Sequence, residues 1–296
     1  MELKIIKALD NQNLFLNIYP VKNPKGAIQV VHGMMEHQGR YKEFAEKMNS
    51  FGYTVITSDL RGHGQYSTNL GNFKHHSGWK ELLMDQQTIT NYIENTLDIH
   101  NIILFGHSMG SIIARNLIQK ESSLYSHLII SGFPPYKKGI GLGIAIGNIT
   151  QFFTTDLGKT KYMKKMIIGK FNKAIKNPKT ELDWLSYNEQ NIENYINDPL
   201  CGFDFTNGAY VDLMHLVKGL HNKKAVNAIN LPILLLNGED DPCVGGKAGI
   251  SQTLSDLNTQ GFDNTTLISY PKMRHEILME EGKDKIYNDI YKFIEE

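Results

Sequence analysis

Cysteine is nearly absent: the 296 residues contain only Cys201 and Cys243. Two cysteines exclude a disulfide framework and offer no zinc-type spacing, so no metal is expected. Such sparing use suits a reducing cytoplasm. No run of 18 apolar residues occurs, so no membrane-spanning helix is expected. The opening stretch, MELKIIKALDNQNLFLNIYP, lacks the sustained apolar core of a secretory signal. There is no excess of either charge: Lys+Arg and Asp+Glu both number 31, for a formal net charge of zero. Nothing global therefore points to nucleic acid, and none is expected as a partner. No internal repeat is visible, which sets solenoids aside. What is present is globular, 41% hydrophobic and 21% charged. The length suits a large α/β domain carrying an insertion.

Seven short segments read as strands: LFLNIYPV, GAIQVVHG, YTVITSDL, NIILFGHS, SHLIISGF, LPILLLNGE and NTTLISYP. The middle ones are apolar on successive positions, the pattern of strands buried on both faces. Helical patterns lie between them. YKEFAEKMNSFG places Phe44, Ala45 and Met48 at helical spacing and stops at Gly52. WKELLMDQQTITNYIENTL, MGSIIARNLIQKE and KIYNDIYKFIEE are the others. Alternating strand and helix predicts a mainly parallel sheet with helices on both faces, whose active site lies at the carboxyl ends of the strands. The alternation breaks after Phe133-Pro134-Pro135 and resumes at Leu231. The expected organisation is a core of residues 1–135 and 202–296, with an inserted helical cap over 136–201 and a core helix near 207–220.

The chemistry centres on Gly106-His107-Ser108-Met109-Gly110, where a strand runs into a helix. That context is what a nucleophile elbow requires, with Ser108 held in a strained turn and the two glycines removing clashing side chains. A serine hydroxyl needs a base. Of 11 histidines, His107 sits inside the elbow and is expected to point away from the hydroxyl, His75 and His76 lie in a loop, and His215 lies in a probable helix. His275 follows the last strand, at its carboxyl end, and is the candidate base. LPILLLNGEDDPCV ends a buried strand in Gly238 and then offers Glu239, Asp240 and Asp241. Asp241 is the candidate orienting acid because the order Ser…Asp…His is the one this fold uses; Asp240 is its rival. For an oxyanion, the backbone N–H groups of Met109 and Met34 are the candidate donors, with Gly33 letting the loop after GAIQVV turn inward. His32 is read as bracing that loop.

These pieces resemble the α/β-hydrolase superfamily, and more narrowly the monoacylglycerol lipase/lysophospholipase group of serine hydrolases. The resemblance rests on VVHGMMEHQGRY, SDLRGHGQYS, GHSMGS, DPLCGFDFT, LLLNGEDDPCV and MRHEILME, which occur in the family's order across most of the chain outside the cap. It implies the α/β-hydrolase fold, a lipid or other acyl-ester substrate and no cofactor. It carries the nucleophile, acid and base roles onto Ser108, Asp241 and His275 and the oxyanion roles onto Met34 and Met109. It favours Asp241 over Asp240, since the family's acid stands three residues after the glycine. One departure is Met35, where many relatives carry a small residue; a long side chain there is expected to narrow the acyl site. RGHG at 61–64 is read as a structural turn, with no catalytic role for His63. Short-chain carboxylesterase, serine aminopeptidase of the proline-iminopeptidase kind and non-catalytic hydrolase-like binding protein are the alternatives to a lipid esterase.

The cap carries an unusual charge. From Lys137 to Thr180 there are ten lysines and one acid, Asp156, a local net charge of +9. In KTKYMKKMIIGKFNKAIKN, Met163, Ile167, Phe171 and Ala174 fall at helical spacing, with the lysines largely elsewhere. This predicts one basic amphipathic helix, suited to peripheral contact with an anionic membrane surface by a cytoplasmic protein. The run GIGLGIAIGNITQFF is too short to span a bilayer and is expected to line an acyl tunnel or pack the cap.

Overall fold

The computed structural model describes residues 1–74, 76–154, 157–222 and 228–296. His75 and Asp156, singled out above, lie outside them. Chain order is β1 (Glu2–Lys7), β2 (Asn13–Tyr19), β3 (Gly26–Val31), α1 (Lys42–Ser50), β4 (Tyr53–Ser58), α2 (Gly78–Asn95), β5 (Ile102–His107), α3 (Met109–Glu121) and β6 (His127–Ser131). Then follow α4 (Ile140–Thr154), α5 (Lys161–Ile167), α6 (Glu189–Asn197), α7 (Asn207–Gly219), β7 (Ile233–Gly238), α8 (Gly246–Gln260), β8 (Thr265–Tyr270) and α9 (Lys283–Glu295).

The strands form one sheet in the order β1-β2-β4-β3-β5-β6-β7-β8. β1 pairs antiparallel with β2, and β2 antiparallel with β4. Every later pair is parallel. Alternate residues of each buried strand feed two separate cores. In β5, Ile102 and Leu104 pack toward α2, α3 and α7, while Ile103 and Phe105 pack toward α1 and α9. The chain leaves β3 for β4 on one side and leaves β5 for β6 on the other. The crevice at the carboxyl ends of β3 and β5 is thus the topological switch point where such sheets bind ligands.

Two elements have no counterpart in the sequence reading. β1 is an edge strand with Leu3 and Ile5 exposed, so its apolar pattern reports pairing with β2 more than burial. α8 buries mainly small and polar residues, Gly249, Thr253, Asp256 and Gln260, and leaves little apolar periodicity to read.

Between β6 and α7 no strand occurs among the described residues; α4, α5 and α6 fill that interval. The glycines of α4 explain its sequence. A Cβ on Gly147 would collide with Val211 Cγ2, and one on Gly143 would come within 2.9 Å of Met214 Sδ, so α4 packs closely on α7 only with glycine there. The long basic helix anticipated from Met163 to Ala174 is not formed. α5 spans only seven residues, closing with Ile168 N–H to Lys164 C=O and Gly169 N–H to Lys165 C=O. A separate 3₁₀ turn follows at Asn172–Ala174. Gly169 sits where the helix closes, and Met163 is fully buried instead of lying on a surface stripe.

Candidate active site

Ser108 stands between β5 and α3 with φ 52° and ψ −115°, a conformation L-residues seldom adopt and which costs on the order of 1–3 kcal/mol. Its neighbours explain why it is tolerated. A Cβ on Gly106 would lie 2.5 Å from Gly110 C=O, and one on Gly110 would collide with Val31 C=O. Two glycines let the start of α3 sit directly on the sheet. Ser108 N–H donates to Ser131 C=O at 2.9 Å, tying the turn to the end of β6.

His275 lies in the loop after β8, against the same strand end: a Cβ on Gly132 would be 2.8 Å from its Cε1. Its Nδ1 meets Asp241 Oδ2 at 2.9 Å, with both side chains buried. Asp241 Oδ1 accepts the Cys243 N–H at 2.7 Å. Asp240 is turned outward and accepts from Tyr187 Oη at 2.9 Å. Gly238 lets the strands' loops cross, since a Cβ there would run into Met273 C=O. Burial alone would push the imidazole of His275 down. The Asp241 carboxylate and its hydrogen bond overcome that and hold it above the usual histidine value.

The loop after β3 supplies the opposite wall. Gly33 does not carry a left-handed backbone there; Met35 does, with φ 58°. Glycine is needed at 33 for space, because a Cβ would lie 2.7 Å from Glu36 Oε1 and 3.2 Å from Ser108 Cβ. His32 and His63 brace this loop as neutral rings. His32 Nδ1 meets Gly33 C=O at 2.8 Å and its Nε2 accepts the Leu60 N–H at 3.0 Å. His63 Nδ1 meets Arg61 C=O at 2.9 Å and its Nε2 accepts the Met35 N–H at 3.3 Å. Burial lowers both, His63 to about 3. Met35 C=O accepts from Tyr195 Oη at 2.7 Å and from Gly202 N–H at 2.9 Å. Met34, between these pinned residues, faces the cavities that Ser108 lines. Met109 opens α3, where a first-turn N–H has no intrahelical acceptor.

Two cavities meet at Ser108. The larger, about 360 Å³, is lined by Met34, Met109, Ile146, Ile167, Phe171 and Leu213 among others, with Lys137 and Lys138 its only charged groups among the described residues. The smaller, about 60 Å³, is lined by Gly33, Met35, Glu36, Lys164, Tyr195 and His275. Met35 therefore borders the small cavity and does not narrow the large one. The glycine-isoleucine run lines the large one through Ile140, Leu142, Gly143 and Ile146.

Trp184 has no motif that marks it, and the elbow motif does not say what His107 touches. Trp184 lines both cavities and packs its ring 4.9 Å from that of His275. His107 packs 4.8 Å from His275, with Nδ1 3.0 Å from Ser131 Oγ; burial and the neighbouring His275 lower it to about 4. His215 stacks instead on Trp79. Only contact across the fold reveals these pairings.

Two groups of potential metal ligands gather within 4.8 Å, Asp241-Cys243-His275 and His37-Asp198-Cys201. In the first, Asp241 already holds His275, and burial pushes the Cys243 thiol up, against the thiolate a metal requires. In the second, His37 Nδ1 accepts the Gly39 N–H, leaving the ring proton on Nε2 for Asp198 at 2.9 Å. Both arrangements are internally satisfied hydrogen-bond sets.

A family model described as serine aminopeptidase, S33, matches residues 22–282. A monoacylglycerol lipase of Mycolicibacterium smegmatis is 23% identical over 279 residues, 93% of this chain and 90% of the relative. A monoglyceride lipase of Mus musculus is 27% identical over 240 residues, 78% of this chain and 71% of the relative. Among solved structures, a highly thermostable carboxyl esterase from Bacillus coagulans in complex with glycerol matches with a TM-score of 0.89 at 23% identity, over 99% of this chain and 97% of that one.

Proposed function

The chain belongs to the serine aminopeptidase S33 family and has the α/β-hydrolase fold; from that premise we propose that it hydrolyses carboxylic esters of lipids, monoacylglycerols or lysophospholipids, through an acyl-enzyme. Ser108 is the nucleophile, His275 the base and Asp241 the acid that orients it. As Ser108 Oγ bonds to the acyl carbon, His275 Nε2 takes its proton and the carbonyl electrons move to oxygen, facing the N–H groups of Met34 and Met109. The intermediate collapses by breaking the bond to the alcohol, which leaves with the proton from His275. Water then repeats the sequence on the acyl-enzyme and releases the acid. Asp241 keeps the imidazole in one tautomer and stabilises its charged form.

The observation that carries this reading is the position of Ser108 between two unlike cavities. The large one has the apolar lining an acyl chain needs, and the small one, where Glu36, Lys164 and Glu276 lie among apolar side chains, suits the alcohol. The same lining speaks against an aminopeptidase. A substrate α-ammonium needs a free carboxylate, yet the large cavity offers only lysines, and Glu36 and Glu276 are held by Arg40. A fluorophosphonate should label the wild type and not Ser108→Ala. Hydrolysis should rise from p-nitrophenyl acetate to longer acyl esters. Labelling that survives the substitution would remove Ser108 from its role, and a preference for acetate would demote the lipid reading.

We further propose contact between residues 136–201, read as a cap, and an anionic membrane surface. No helix among the described residues is long and apolar enough to cross a membrane. The most exposed apolar residues of this segment sit on α4, where Phe152 is 85% and Phe153 78% exposed, beside Leu142 and Ile149; Tyr162 of α5 is exposed as well. Lys137, Lys138, Lys159 and Lys161 flank them in sequence.

A further inference from the structure

Beneath the site lies a buried polar bracket that the reaction steps above do not use. Glu36 Oε1 accepts the Gly33 N–H at 2.5 Å and the Tyr41 hydroxyl at 2.9 Å. Its Oε2 accepts Arg40 Nη1 at 2.8 Å. Arg40 also grips Glu276 with both arms, Nη1 to Oε1 at 2.6 Å and Nη2 to Oε2 at 2.8 Å. Asn191 of α6 closes the set, its Oδ1 accepting from Arg40 at 3.0 Å and its Nδ2 donating to Glu276 Oε2 at 2.7 Å. Glu36 and Glu276 are 3% and 5% exposed. Burying two carboxylates against one guanidinium is an expensive way to gain stability. The bracket joins the loop bearing Met34 to the residue that directly follows His275.

We infer that Glu36 is a positioning residue, whose carboxylate holds the Gly33 N–H, and with it the His32–Gly33 peptide, so that the next N–H along the chain, that of Met34, faces the developing oxyanion, and which through Arg40 and Glu276 holds the His275 loop in the same frame. This rests on the reading of Ser108 as nucleophile. The geometry leaves Glu36 little other purpose. Both of its oxygens are occupied, one by the N–H of the residue just before Met34, and Gly33 approaches it so closely that no side chain fits between. Charge adds a second effect. The groups facing His275 are Asp241 from the β7 loop, Glu276 beside it, Glu36 from the β3 loop, and His107 and Cys243. Asp241, Glu276 and Glu36 all favour its protonated form. Burial opposes ionisation of Glu36 itself, but Arg40 holds its carboxyl at about 2, so it stays charged through the working range.

The test is Glu36→Gln in the full-length protein, assayed on p-nitrophenyl butyrate. Misplacing one oxyanion donor should lower kcat by about 10- to 100-fold, with KM changed less than about threefold. Losing the negative charge should move the acidic limb of kcat/KM to lower pH. A folded variant with wild-type kcat and an unmoved limb overturns the inference. If Glu36→Gln does not fold, Tyr41→Phe removes only one donor to Glu36. It should lower kcat several-fold at constant KM, and an unchanged kcat there also overturns the inference. Failure of the underlying reading looks different: the wild type would then hydrolyse no ester, or Ser108→Ala would remain active.

Discussion

The chain between β6 and α7 crosses the site twice, and the two passages have opposite physics. Residues 182–197 are bolted to the loop that carries His275. Glu280 accepts from Ser186 Oγ and from the N–H groups of Tyr187, Asn188 and Arg274. Arg274 donates to the carbonyls of Asp183 and Ser186 and lies 3.8 Å over the Tyr187 ring. Glu276 N–H donates to Leu185 C=O. Among the described residues, 137–176 are tied to the core mainly around Asn207, by Thr154, Gly158 and Thr160, and by Lys159 to Leu70 C=O and Lys164 to Asp204. They meet the core through apolar side chains and the glycine face of α4. Directional polar bonds locate atoms to fractions of an ångström, whereas apolar contact tolerates sliding. The second passage therefore belongs mechanically with the catalytic floor, and the first with the substrate.

That comparison breaks most visibly on the floor. Asp241→Asn leaves the shape but removes the charge that sets the His275 tautomer, and should cost roughly 10³–10⁴-fold in kcat. The pH profile checks the cause. His275 must be neutral to accept the Ser108 proton, so kcat/KM should fall as pH drops through its folded value, which Asp241 holds above the ordinary 6.5. In Asp241→Asn that limb should move to lower pH, and further than in Glu36→Gln. The first passage is probed next. Phe152→Ser together with Phe153→Ser should weaken binding to anionic vesicles by about 10²- to 10⁴-fold, at roughly 1.5–3 kcal/mol per buried aromatic, while p-nitrophenyl butyrate turnover stays unchanged. Sedimentation with vesicles of graded anionic lipid content measures this, and an unaltered bound fraction would refute the contact. The smallest effect is expected from filling the cavity. Ile146→Trp should shift the ratio of long- to short-chain p-nitrophenyl ester turnover by about tenfold toward short chains. The Ser108→Ala labelling experiment stands above all of these in size.

The doubly buried strands, the elbow glycines and the helix from Met109 were legible because each is a local demand. A strand covered on both faces must be apolar throughout, and a turn at φ 52° needs small neighbours. The same locality explains the misses. β1 is held by pairing across the sheet edge. α8 is held by polar and small residues. The continuity of a lysine helix was inferred from spacing that Gly169 interrupts. Nothing along the chain says on which side of Ser108 the side chain of Met35 falls; the fold puts it at the small cavity.

What the order of residues determined alone is the chemistry available: a serine at a strand-to-helix turn, an aspartate and a histidine after the last two strands, and an insertion rich in lysine. Tertiary structure decided which acid of the triplet meets His275, which residue of the β3 loop carries the strained backbone, and how Glu36, Arg40, Glu276 and Asn191 come together. The reason is physical. A strained turn is written in neighbouring residues, but burying four polar groups in one bracket depends on where two separate loops and a helix come to rest.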